Sequence, residues 1–230
     1  MSNIKHHIVF FTGAGISQES GITTFRDKNG LWENHKIEEV ASPEGFAKNP
    51  QLVLDFYNAR RKQLDEVHPN QAHTLIAQLE TKYKVTVITQ NIDDLHERAG
   101  STNVLHLHGE LKTCRSSDNE NLVYPYDKPL KIGDLASDGS QLRPNVVWFN
   151  EAVPYIEKAI AITLSADLFV IVGSSMRVQP AASLLLTVPY DVETVYIDIN
   201  PEVEEGINLL VIKEKATLGM KLVVEDFLPY

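Results

Sequence analysis

The sequence predicts an α/β protein in which a doubly wound, mostly parallel sheet carries a smaller inserted domain. Short apolar runs alternate with stretches of helical periodicity, which is typical of parallel sheets covered on both faces. The alternation stops twice. Residues 31–68 look helical with no strand between them, and residues 112–144 are polar and rich in Asp, Ser, Pro and Gly. Insertions of that length into a compact fold are usually functional or separately folded. Both segments are therefore predicted to form the smaller domain.

Seven apolar runs are predicted to be strands and four amphipathic stretches are predicted to be helices. The runs are rich in Val, Ile, Leu and Phe, as expected for buried strands. The predicted strands are 7–11, 84–90, 104–108, 145–149, 168–173, 195–199 and 209–212. The predicted helices are 70–83, 156–166, 180–188 and 217–228. The larger domain then comprises 1–30, 69–111 and 145–230, and the smaller domain comprises 31–68 and 112–144.

Bulk properties limit the function. A chain of 230 residues can bury a large core. Its net charge of −10 argues against a general nucleic-acid binder, because phosphate contacts need clustered Lys and Arg. A single cysteine, Cys114, excludes an intrachain disulfide and an all-cysteine zinc site within one chain. Without a signal-peptide pattern or an apolar span of ~20 residues, we expect a cytoplasmic protein, with a monomer favoured and no membrane or nucleic-acid partner.

The first predicted strand runs into GAGISQESG (13–21). Glycines there allow a phosphate to approach backbone N–H groups at a helix start, and a plain tight turn is an equally good interpretation. A dinucleotide dehydrogenase should also show a second strand that ends in an acidic residue about 20 residues further on. Glu33 lies near that distance, but its surroundings are not a strand pattern. Hydride transfer is therefore disfavoured.

Polar residues follow two of the predicted strands. Asn91 and Asp93 come after the strand at 84–90, where ligand-binding residues of open α/β sheets usually lie. They are also reasonable N-caps for the helix that follows, although Asp94 is an equally good cap. His108 ends the next predicted strand, and its ordinary pKa near 6.5 makes a neutral imidazole available as a base at pH 7. A hydrogen-bonded structural histidine is the alternative.

The helical stretch around FYNARR (56–61) places Tyr57 and Arg60 three residues apart on one face. Leu52, Phe56 and Leu64 suit a buried stripe, and Arg61 suits water. From the helix alone, the pair is interpreted as a solvated edge at which an arginine stem covers a ring.

Six segments together resemble the sirtuin family, in family order and over nearly the whole chain. They are GAGISQESGITTFR (13–26), TQNIDDLHERAG (89–100), HLHGEL (106–111), RPNVVWFNEAVP (143–154), GSSMRVQPAA (173–182) and the pair Ile199–Asn200. Sirtuins are NAD-dependent protein lysine deacylases. The resemblance implies a Rossmann-like domain, a smaller domain built from a helical module and a zinc module, and an active site in the cleft between the two domains.

The resemblance also implies site residues. Phe25 would screen the reactive carbon from water, and an acyl-lysine peptide would thread between 146–151 and 173–178 as an added strand. The implied NAD contacts are Gly13, Ala14, Gly15, Ser17, Phe25, Arg26, Gln90, Asn91, Ile92, Asp93, Gly173, Ser174, Ser175, Asn200 and Ala216. The implied peptide and acyl contacts are Val147, Trp148, Phe149 and Met176.

The implied catalytic residues are His108, Asn91 and Asp93. In the implied reaction the acyl oxygen attacks the ribose carbon that carries nicotinamide, and His108 then activates a ribose hydroxyl as general base. The products are free lysine, nicotinamide and an O-acyl-ADP-ribose. Two other uses of the same cleft stay open, namely an ADP-ribosyltransferase or NAD glycohydrolase, and an NAD-binding regulatory protein that has lost catalysis.

The chain departs from the family pattern at several positions. Asn150 replaces a usual glycine, Thr23 replaces a frequent proline, and the two Cys-x-x-Cys pairs are reduced to Cys114. We expect a module without zinc. Its expected apolar contacts are Leu122, Val123, Tyr124, Tyr126, Leu130, Ile132 and Leu135.

The helical module resembles that of the class III sirtuins, which remove negatively charged acyl groups. Their marker is an alanine, a tyrosine sixteen positions later and an arginine three beyond that, here Ala41, Tyr57 and Arg60. Ala41 would leave room for a longer acyl chain, while Arg60 and Tyr57 would bind its carboxylate through charge-assisted hydrogen bonds. Both deacetylase and desuccinylase activity are therefore expected.

Overall fold

The computed structural model describes residues 6–23, 31–32 and 35–228. Its strands are β1 (His7–Thr12), β2 (Leu31–Trp32), β3 (His35–Lys36), β4 (Lys84–Thr89), β5 (Val104–His106), β6 (Gly109–Ser116), β7 (Val123–Pro125), β8 (Leu142–Val146), β9 (Leu168–Val172), β10 (Glu193–Ile197) and β11 (Leu209–Ile212). Its α-helices are α1 (Ala14–Gln18), α2 (Ile37–Val40), α3 (Pro43–Lys48), α4 (Pro50–Glu66), α5 (Gln71–Leu79), α6 (Leu95–Ala99), α7 (Ile156–Thr163) and α8 (Ala216–Leu222). A 3₁₀ helix spans Ala181–Thr187, and a π-helical turn spans Val223–Phe227.

The main sheet contains six parallel strands in the order β11-β10-β9-β1-β4-β5. On β1, Ile8 aligns with Val85 of β4 on one side and with Leu168 of β9 on the other. The chain builds one half of the sheet outward from β1 and later returns to build the other half. The doubly wound class is thus confirmed. The strand order reverses beside β1, and ligands of such sheets bind at the carboxyl ends of the strands at this point.

Helices cover both faces of this sheet. On β1, Ile8 and Phe10 belong to the apolar cluster beneath α5 and α8, while Val9 and Phe11 belong to the cluster beneath α7 and the 3₁₀ helix. All four side chains are buried, and burial of a side chain of this size contributes roughly 1.5–3 kcal/mol. The alternation explains why the strand is apolar at every position.

A second, smaller assembly lies outside the main sheet. Strands β7, β6 and β8 form an antiparallel sheet in that order, and α2, α3 and α4 accompany it. Helix α4 begins where the side chain of Asn49 accepts a hydrogen bond from the backbone N–H of Leu52, with Pro50 at the first helical position. Its buried side carries Leu54 into the small sheet and Tyr57 toward the cleft.

Two of the strand predictions are wrong. The run at 145–149 is not a strand of the main sheet, because β8 ends at Val146 and pairs antiparallel with β6. The stretch 31–68 does contain strands, namely the two-residue pair β2 and β3. An apolar run reports that a segment is buried, not which segment it pairs with. The predicted boundaries at 111/112 and 144/145 fall inside β6 and β8, while the division into two domains stays a prediction.

The other predicted elements are present with shifted ends. The strand predicted at 104–108 ends at His106, and the strand predicted at 195–199 spans Glu193–Ile197. The helix predicted at 180–188 is a 3₁₀ helix. The helix predicted at 217–228 divides into α8 and the π-helical turn.

Arg61 is buried, so its predicted contact with water is wrong. Its Nε donates to the backbone oxygen of Leu111 (3.1 Å), and one terminal nitrogen donates to the side-chain oxygen of Asn58 (2.9 Å). Asn58 in turn exchanges two hydrogen bonds with the backbone of Leu130. The face of α4 that looks polar in sequence is therefore the face on which the 112–144 module packs.

The core of that module differs in part from the expectation. Tyr126 and Leu130 are buried and Tyr124 packs beside them, as expected. Val123, Ile132 and Leu135 are exposed, so their predicted role in the core is wrong. The core is completed by Leu54, Cys114, Ala136 and Leu142. Of these four, only Leu54 of α4 comes from outside 112–144, so the module packs both on itself and against α4.

Among the described residues, no helix is long and apolar enough to cross a membrane.

Candidate active site

Two glycine loops meet where the strand order reverses. The backbone N–H of Gly13, after β1, donates to Val172 O (3.0 Å), and that of Gly15 donates to Gly173 O (2.8 Å). Gly173 has φ +64°, and a Cβ atom there would lie 2.3 Å from the backbone nitrogen of Ile16. A side chain at any of these glycines would fill the space between the loops. Backbone groups rather than side chains therefore form this end of the cleft.

Three predicted residues form a buried polar cluster beside these loops. Ser17 Oγ donates to Asp93 Oδ2 (2.9 Å), and Asn91 Nδ2 donates to Ser17 Oγ and to Gly13 O (3.1 Å each). All three side chains are buried. The ends of strands β1 and β4 bring these residues together from positions more than seventy residues apart.

Of the candidate caps left open for α6, Asp93 supplies a side-chain hydrogen bond and Asp94 does not. Asp93 Oδ1 accepts a hydrogen bond from the backbone N–H of Leu95 (3.2 Å), while Asp94 makes no side-chain cap and pairs instead with Arg98 and Lys112. Burial raises the pKa of Asp93 to about 6, against the opposing effect of its hydrogen bonds. The carboxylate is thus held in place but is costly to ionise.

His108 lies beside this cluster with one ring nitrogen fixed. Its Nδ1 lies 3.0 Å from the backbone oxygen of Gln90. A carbonyl oxygen can only accept, so Nδ1 carries the proton and Nε2 keeps its lone pair. Burial lowers the pKa of His108, which favours the neutral ring at pH 7. Gly109 beside it has φ +79°, and a Cβ atom there would lie 2.0 Å from Asn145 O.

The loop after β9 is tied to the same strand ends. Gln90 Nε2 donates to Ser174 Oγ (2.8 Å), the backbone N–H of Met176 donates to the same oxygen (3.3 Å), and the hydroxyl of Tyr196 donates to Ser174 O (2.8 Å). Met176 has φ +55°, a conformation uncommon for side chains other than glycine. Ser175 lies between these anchored residues.

Two predicted cofactor residues lie further along the carboxyl edge of the sheet. Asn200 is exposed after β10, and its backbone N–H donates to Asp198 Oδ1 (2.8 Å). Ala216 is buried at the first position of α8. Ala14 begins α1, and Ile92 lies between Asn91 and Asp93. The predicted residues Phe25 and Arg26 lie outside the described residues.

A cavity of about 50 Å³ joins α4 to the buried polar cluster. Arg60 and Gln63 line it from α4, and Asp93 lines it from the opposite side. The rest of its wall is largely apolar and includes Ile22, Leu64, Ile92 and Leu111. The guanidinium of Arg60 lies 5.4 Å from the ring centre of Phe56. Arg60 therefore faces the site from the helix on which it was predicted to act.

Tyr57 and Ala41 lie in the wall behind this cavity. Tyr57 is 0% exposed, and its hydroxyl accepts a hydrogen bond from Trp148 Nε1 (3.0 Å). Ala41 is buried, and its backbone oxygen accepts from the N–H of Phe149 (3.0 Å). The solvated edge inferred from the helix alone is therefore wrong, because the stretch after β8 covers this face of α4.

The segment 147–151 connects the wall to His108. The backbone N–H of Val147 donates to His108 O (2.9 Å), and Phe149 is 43% exposed. Asn150 has φ +71°, an unusual backbone angle that asparagine tolerates better than most residues. Residues that sequence reasoning missed are Arg143 and Glu151, which enclose Trp148. Their only signal is an Arg and a Glu eight residues apart around an apolar run.

Comparisons with known proteins agree on one family. A model of the Sir2 family matches residues 13–180. A Helicobacter pylori (strain ATCC 700392 / 26695) protein named NAD-dependent protein deacylase is 59% identical over 192 residues, covering 84% of this chain and 84% of that protein. A Bacteroides thetaiotaomicron protein of the same name is 50% identical over 230 residues, covering 97% of this chain and 98% of that protein.

Solved structures give the same result. A Sir2 homologue in complex with NAD is similar with a TM-score of 0.85 and 40% identity, covering 96% of this chain and 88% of that chain. A complex described as Sir2-p53 peptide-NAD+ is similar with a TM-score of 0.79 and 32% identity, covering 97% of this chain and 94% of that chain.

Proposed function

The chain belongs to the Sir2 family, and on that premise we propose that its cleft removes acetyl and acidic acyl groups from protein lysines. The enzyme is an NAD-dependent protein deacylase. Its products are then nicotinamide, free lysine and an O-acyl-ADP-ribose. The observation that carries the proposal is His108, held as a neutral base with Nε2 available beside the Ser17–Asn91–Asp93 cluster.

The residues of the cleft fit NAD. A Cβ atom at Gly13 or Gly15 would lie 2.8 or 2.6 Å from atoms of Gly173 or Ser174, so only backbone lines the place where the phosphates would bind. NAD supplies a nicotinamide–ribose bond as the electrophile. The residues that would hold it are Gly13, Ala14, Gly15, Ser17, Gln90, Asn91, Ile92, Asp93, Gly173, Ser174, Ser175, Asn200 and Ala216, with Phe25 and Arg26 outside the described residues.

His108 accepts a proton at Nε2 from a ribose hydroxyl. The hydrogen bond from Nδ1 to Gln90 O fixes the ring and stabilises the charge that it acquires. Asn91 and Asp93 orient the ribose and the carboxamide, and they stay in place because Ser17 and the start of α6 hold them. The backbone of 147–149 and of 174–176 holds the acyl-lysine peptide as an added strand.

Arg60 selects the acyl group. A succinyl or malonyl carboxylate must lose water to enter a cavity walled by Ile22, Leu64 and Ile92. Arg60 meets it there with a fork of donors. Acetyl-lysine carries no carboxylate and is accepted without that contact. Tyr57 and Ala41 shape the wall on the far side, and the tyrosine hydroxyl contributes a further polar contact.

Replacing Arg60 with methionine tests this selection. Arg60→Met keeps the length of the stem but removes the donors, and a hydrogen bond to a charged group contributes about 1.5–3 kcal/mol. We expect kcat/KM on a succinyl-lysine peptide to fall roughly 10- to 100-fold, and kcat/KM on the acetyl peptide to fall far less. Lys62→Met is the matched control, since Lys62 is exposed on the same helix. An equal loss on both peptides would mean that Arg60 only supports the fold.

Nicotinamide release separates this activity from other uses of the cleft. The protein is incubated with NAD in the presence and absence of acetyl- and succinyl-lysine peptides. Peptide-dependent release with matching loss of the acyl group is expected. Release without peptide would indicate an NAD glycohydrolase, and no release under either condition would indicate a protein that only binds NAD.

We propose that the module at 112–144 holds no zinc. Cys114 is buried, and burial raises the pKa of its thiol to about 11, so it stays protonated rather than serving as a thiolate ligand. Across the described residues no group of His, Cys, Asp or Glu is placed to hold a metal. Ser116 instead joins Asp138 and Ser140 by hydrogen bonds. Elemental analysis of purified protein tests this, and stoichiometric zinc would contradict it.

We further propose that the enzyme acts on acyl-lysine proteins in the cytoplasm as a monomer, without binding nucleic acid or membrane. The net charge of −10 supports the absence of nucleic-acid and membrane binding, because it opposes binding to phosphate-rich surfaces. Sedimentation at several protein concentrations tests the monomer.

A further inference from the structure

We propose that Glu151 and Arg143 form a positioning pair that determines acyl selectivity by fixing Trp148 against Tyr57. The inference rests on the proposed preference for acidic acyl groups. It assigns a role in that preference to two residues outside the 50 Å³ cavity that Arg60 lines, here called the acyl cavity. Neither residue lines that cavity, so both act through the side chains between.

The pair is a two-point ion pair in the interior. Glu151 Oε1 accepts from one terminal nitrogen of Arg143 (2.6 Å), and Oε2 accepts from the other (3.0 Å). The side chain of Glu151 is 18% exposed, and Arg143 is buried. Arg115 adds a second cation, 3.2 Å from Glu151 Oε1, and itself lies 3.9 Å from Glu120 at the surface. A fork of this kind fixes the plane of the guanidinium as well as its position.

The pair encloses Trp148. The guanidinium carbon of Arg143 lies 3.2 Å from the centre of the Trp148 ring system, so the cation covers one face of the indole. Glu151 Oε2 accepts a hydrogen bond from the backbone N–H of Trp148 (2.7 Å). The left-handed backbone of Asn150 turns the chain so that Glu151 can reach back three residues. The same carboxylate therefore fixes both the backbone of Trp148 and the cation on its ring.

Trp148 connects the ion pair to Tyr57, which lies in the wall behind the acyl cavity. Its Nε1–H donates to the Tyr57 hydroxyl (3.0 Å), and its ring lies tilted against the Tyr57 ring at a centroid distance of 6.5 Å. A phenol oxygen that accepts in one direction has its own O–H directed elsewhere. Tyr57 lies three residues before Arg60 on α4 and packs in the same apolar cluster as Leu64 and Leu111, which line the acyl cavity.

Loss of the Glu151 charge therefore affects an acidic acyl group more than a neutral one. Without the Glu151 charge, the buried Arg143 loses its carboxylate partner, and Arg143 and Glu151 no longer fix Trp148 in place. The Tyr57 hydroxyl then loses its fixed orientation. Only an acyl group that carries a carboxylate uses that hydroxyl, so the ratio of desuccinylation to deacetylation reports the effect, whereas general loosening of the fold lowers both rates alike.

A double-mutant cycle tests the inference. The ratio of kcat/KM on succinyl-lysine to kcat/KM on acetyl-lysine peptide is measured for the wild type, Glu151→Gln, Tyr57→Phe and the double variant. Glu151→Gln keeps an oxygen for the Trp148 N–H while removing the charge. We expect each single substitution to lower the ratio about tenfold through KM for the succinyl peptide, and the double variant to lie no lower than either. Glu157→Gln, an exposed residue on α7, is the matched control and should leave the ratio unchanged.

Two results would overturn the inference while leaving the proposed function intact. One is a Glu151→Gln ratio equal to that of the wild type, and the other is a double variant in which the two losses multiply to about a hundredfold. If Glu151→Gln does not fold by circular dichroism, Trp148→Phe, which removes the indole donor together with part of the ring surface, takes its place in the same cycle. A wild-type enzyme that deacetylates but does not desuccinylate would instead overturn the proposed acyl preference, and this inference with it.

Discussion

At the scale of single residues, the cleft holds two titratable groups whose pKa values are shifted in opposite directions by burial. His108 is half-buried with a neutral ring, and desolvation lowers its pKa. Asp93 is buried within hydrogen-bond reach of Ser17, and its pKa is raised to about 6. In both cases burial disfavours the charged form. The histidine is thereby suited to act as a base at neutral pH, while the aspartate is kept at some cost in stability.

The pH profile of kcat/KM should show an acid limb governed by His108. The base works only when neutral, and lowering its pKa keeps it neutral at more acidic pH. Activity should therefore hold through pH 7 and fall with a midpoint below 6.5, as measured on an acetyl-lysine peptide. His108→Tyr should abolish acyl removal across the range. A midpoint above 7, or a wild-type rate in His108→Tyr, would contradict the role of this residue.

Asp93→Asn should stabilise the protein at neutral pH while lowering its activity. A raised folded-state pKa means that the stabilisation is present below the unfolded pKa and is lost as pH rises through about 6. An asparagine keeps one oxygen for the Leu95 N–H and offers its amide to Ser17 Oγ, without the buried charge. We expect the free energy of unfolding at pH 7.5 to rise by about 1–3 kcal/mol, measured by urea titration. The gain should vanish near pH 4, and a loss at pH 7.5 would contradict the assignment.

At the scale of elements, the segment after β8 does more than connect two strands. It leaves the small sheet after Val146, contacts His108 through Val147 N and Ala41 through Phe149 N, and turns at Asn150. Its apolar residues cover α4, and its backbone faces the proposed peptide groove. The wall, the proposed peptide groove and His108 are thus positioned by one stretch of five residues, 147–151.

The turn at Asn150 gives a direct test of this element. Asn150→Val places a β-branched residue at φ +71°, where it is strained, and should lower the free energy of unfolding by about 1–3 kcal/mol. Asn150→Gly adopts the angle freely and should stay within about 1 kcal/mol of the wild type. Both values come from urea titration. Equal stability of the two variants would mean that the turn relaxes without strain.

At the scale of the whole molecule, hydrogen bonds on two sides attach α4 to α6 and to the 112–144 module. Arg98 of α6 donates to the backbone oxygens of Leu64 and Val67 at the end of α4, and it pairs with Asp94. On the other side, Asn58 and Arg61 join α4 to the 112–144 module. The cavity proposed to bind the acyl group lies between these attachments. Its shape therefore depends on the end of α4 staying in contact with α6.

Arg98→Met should weaken the contact between α6 and the end of α4. It leaves two helix-terminal carbonyls without their charged donor, and we expect a loss of about 1–3 kcal/mol in the free energy of unfolding, followed by thermal or urea unfolding. Arg177→Met is the contrasting control, because Arg177 forms an exposed ion pair with Glu202, and such pairs contribute about 0–1 kcal/mol. Equal losses of stability from the two substitutions would show that the contact between α4 and α6 does not depend on Arg98.

The sequence by itself determined the fold class, the glycine-containing loop after the first strand, and the presence of Asn91, Asp93 and His108 near strand ends. These features are local, because an apolar strand followed by glycine or a polar residue is visible in a short window. The spacing of Tyr57 and Arg60 on one helix face was likewise readable from a period of 3.6 residues.

Only the tertiary structure decided how these pieces combine. It moved the predicted strand at 145–149 into the small antiparallel sheet, buried Arg61, made Asp93 a helix cap, and enclosed Trp148 between Arg143, Glu151 and a Tyr57 hydroxyl that is 91 positions away along the chain. Periodicity reports which face of an element is covered, but the covering partner and its hydrogen bonds are chosen by packing between distant segments.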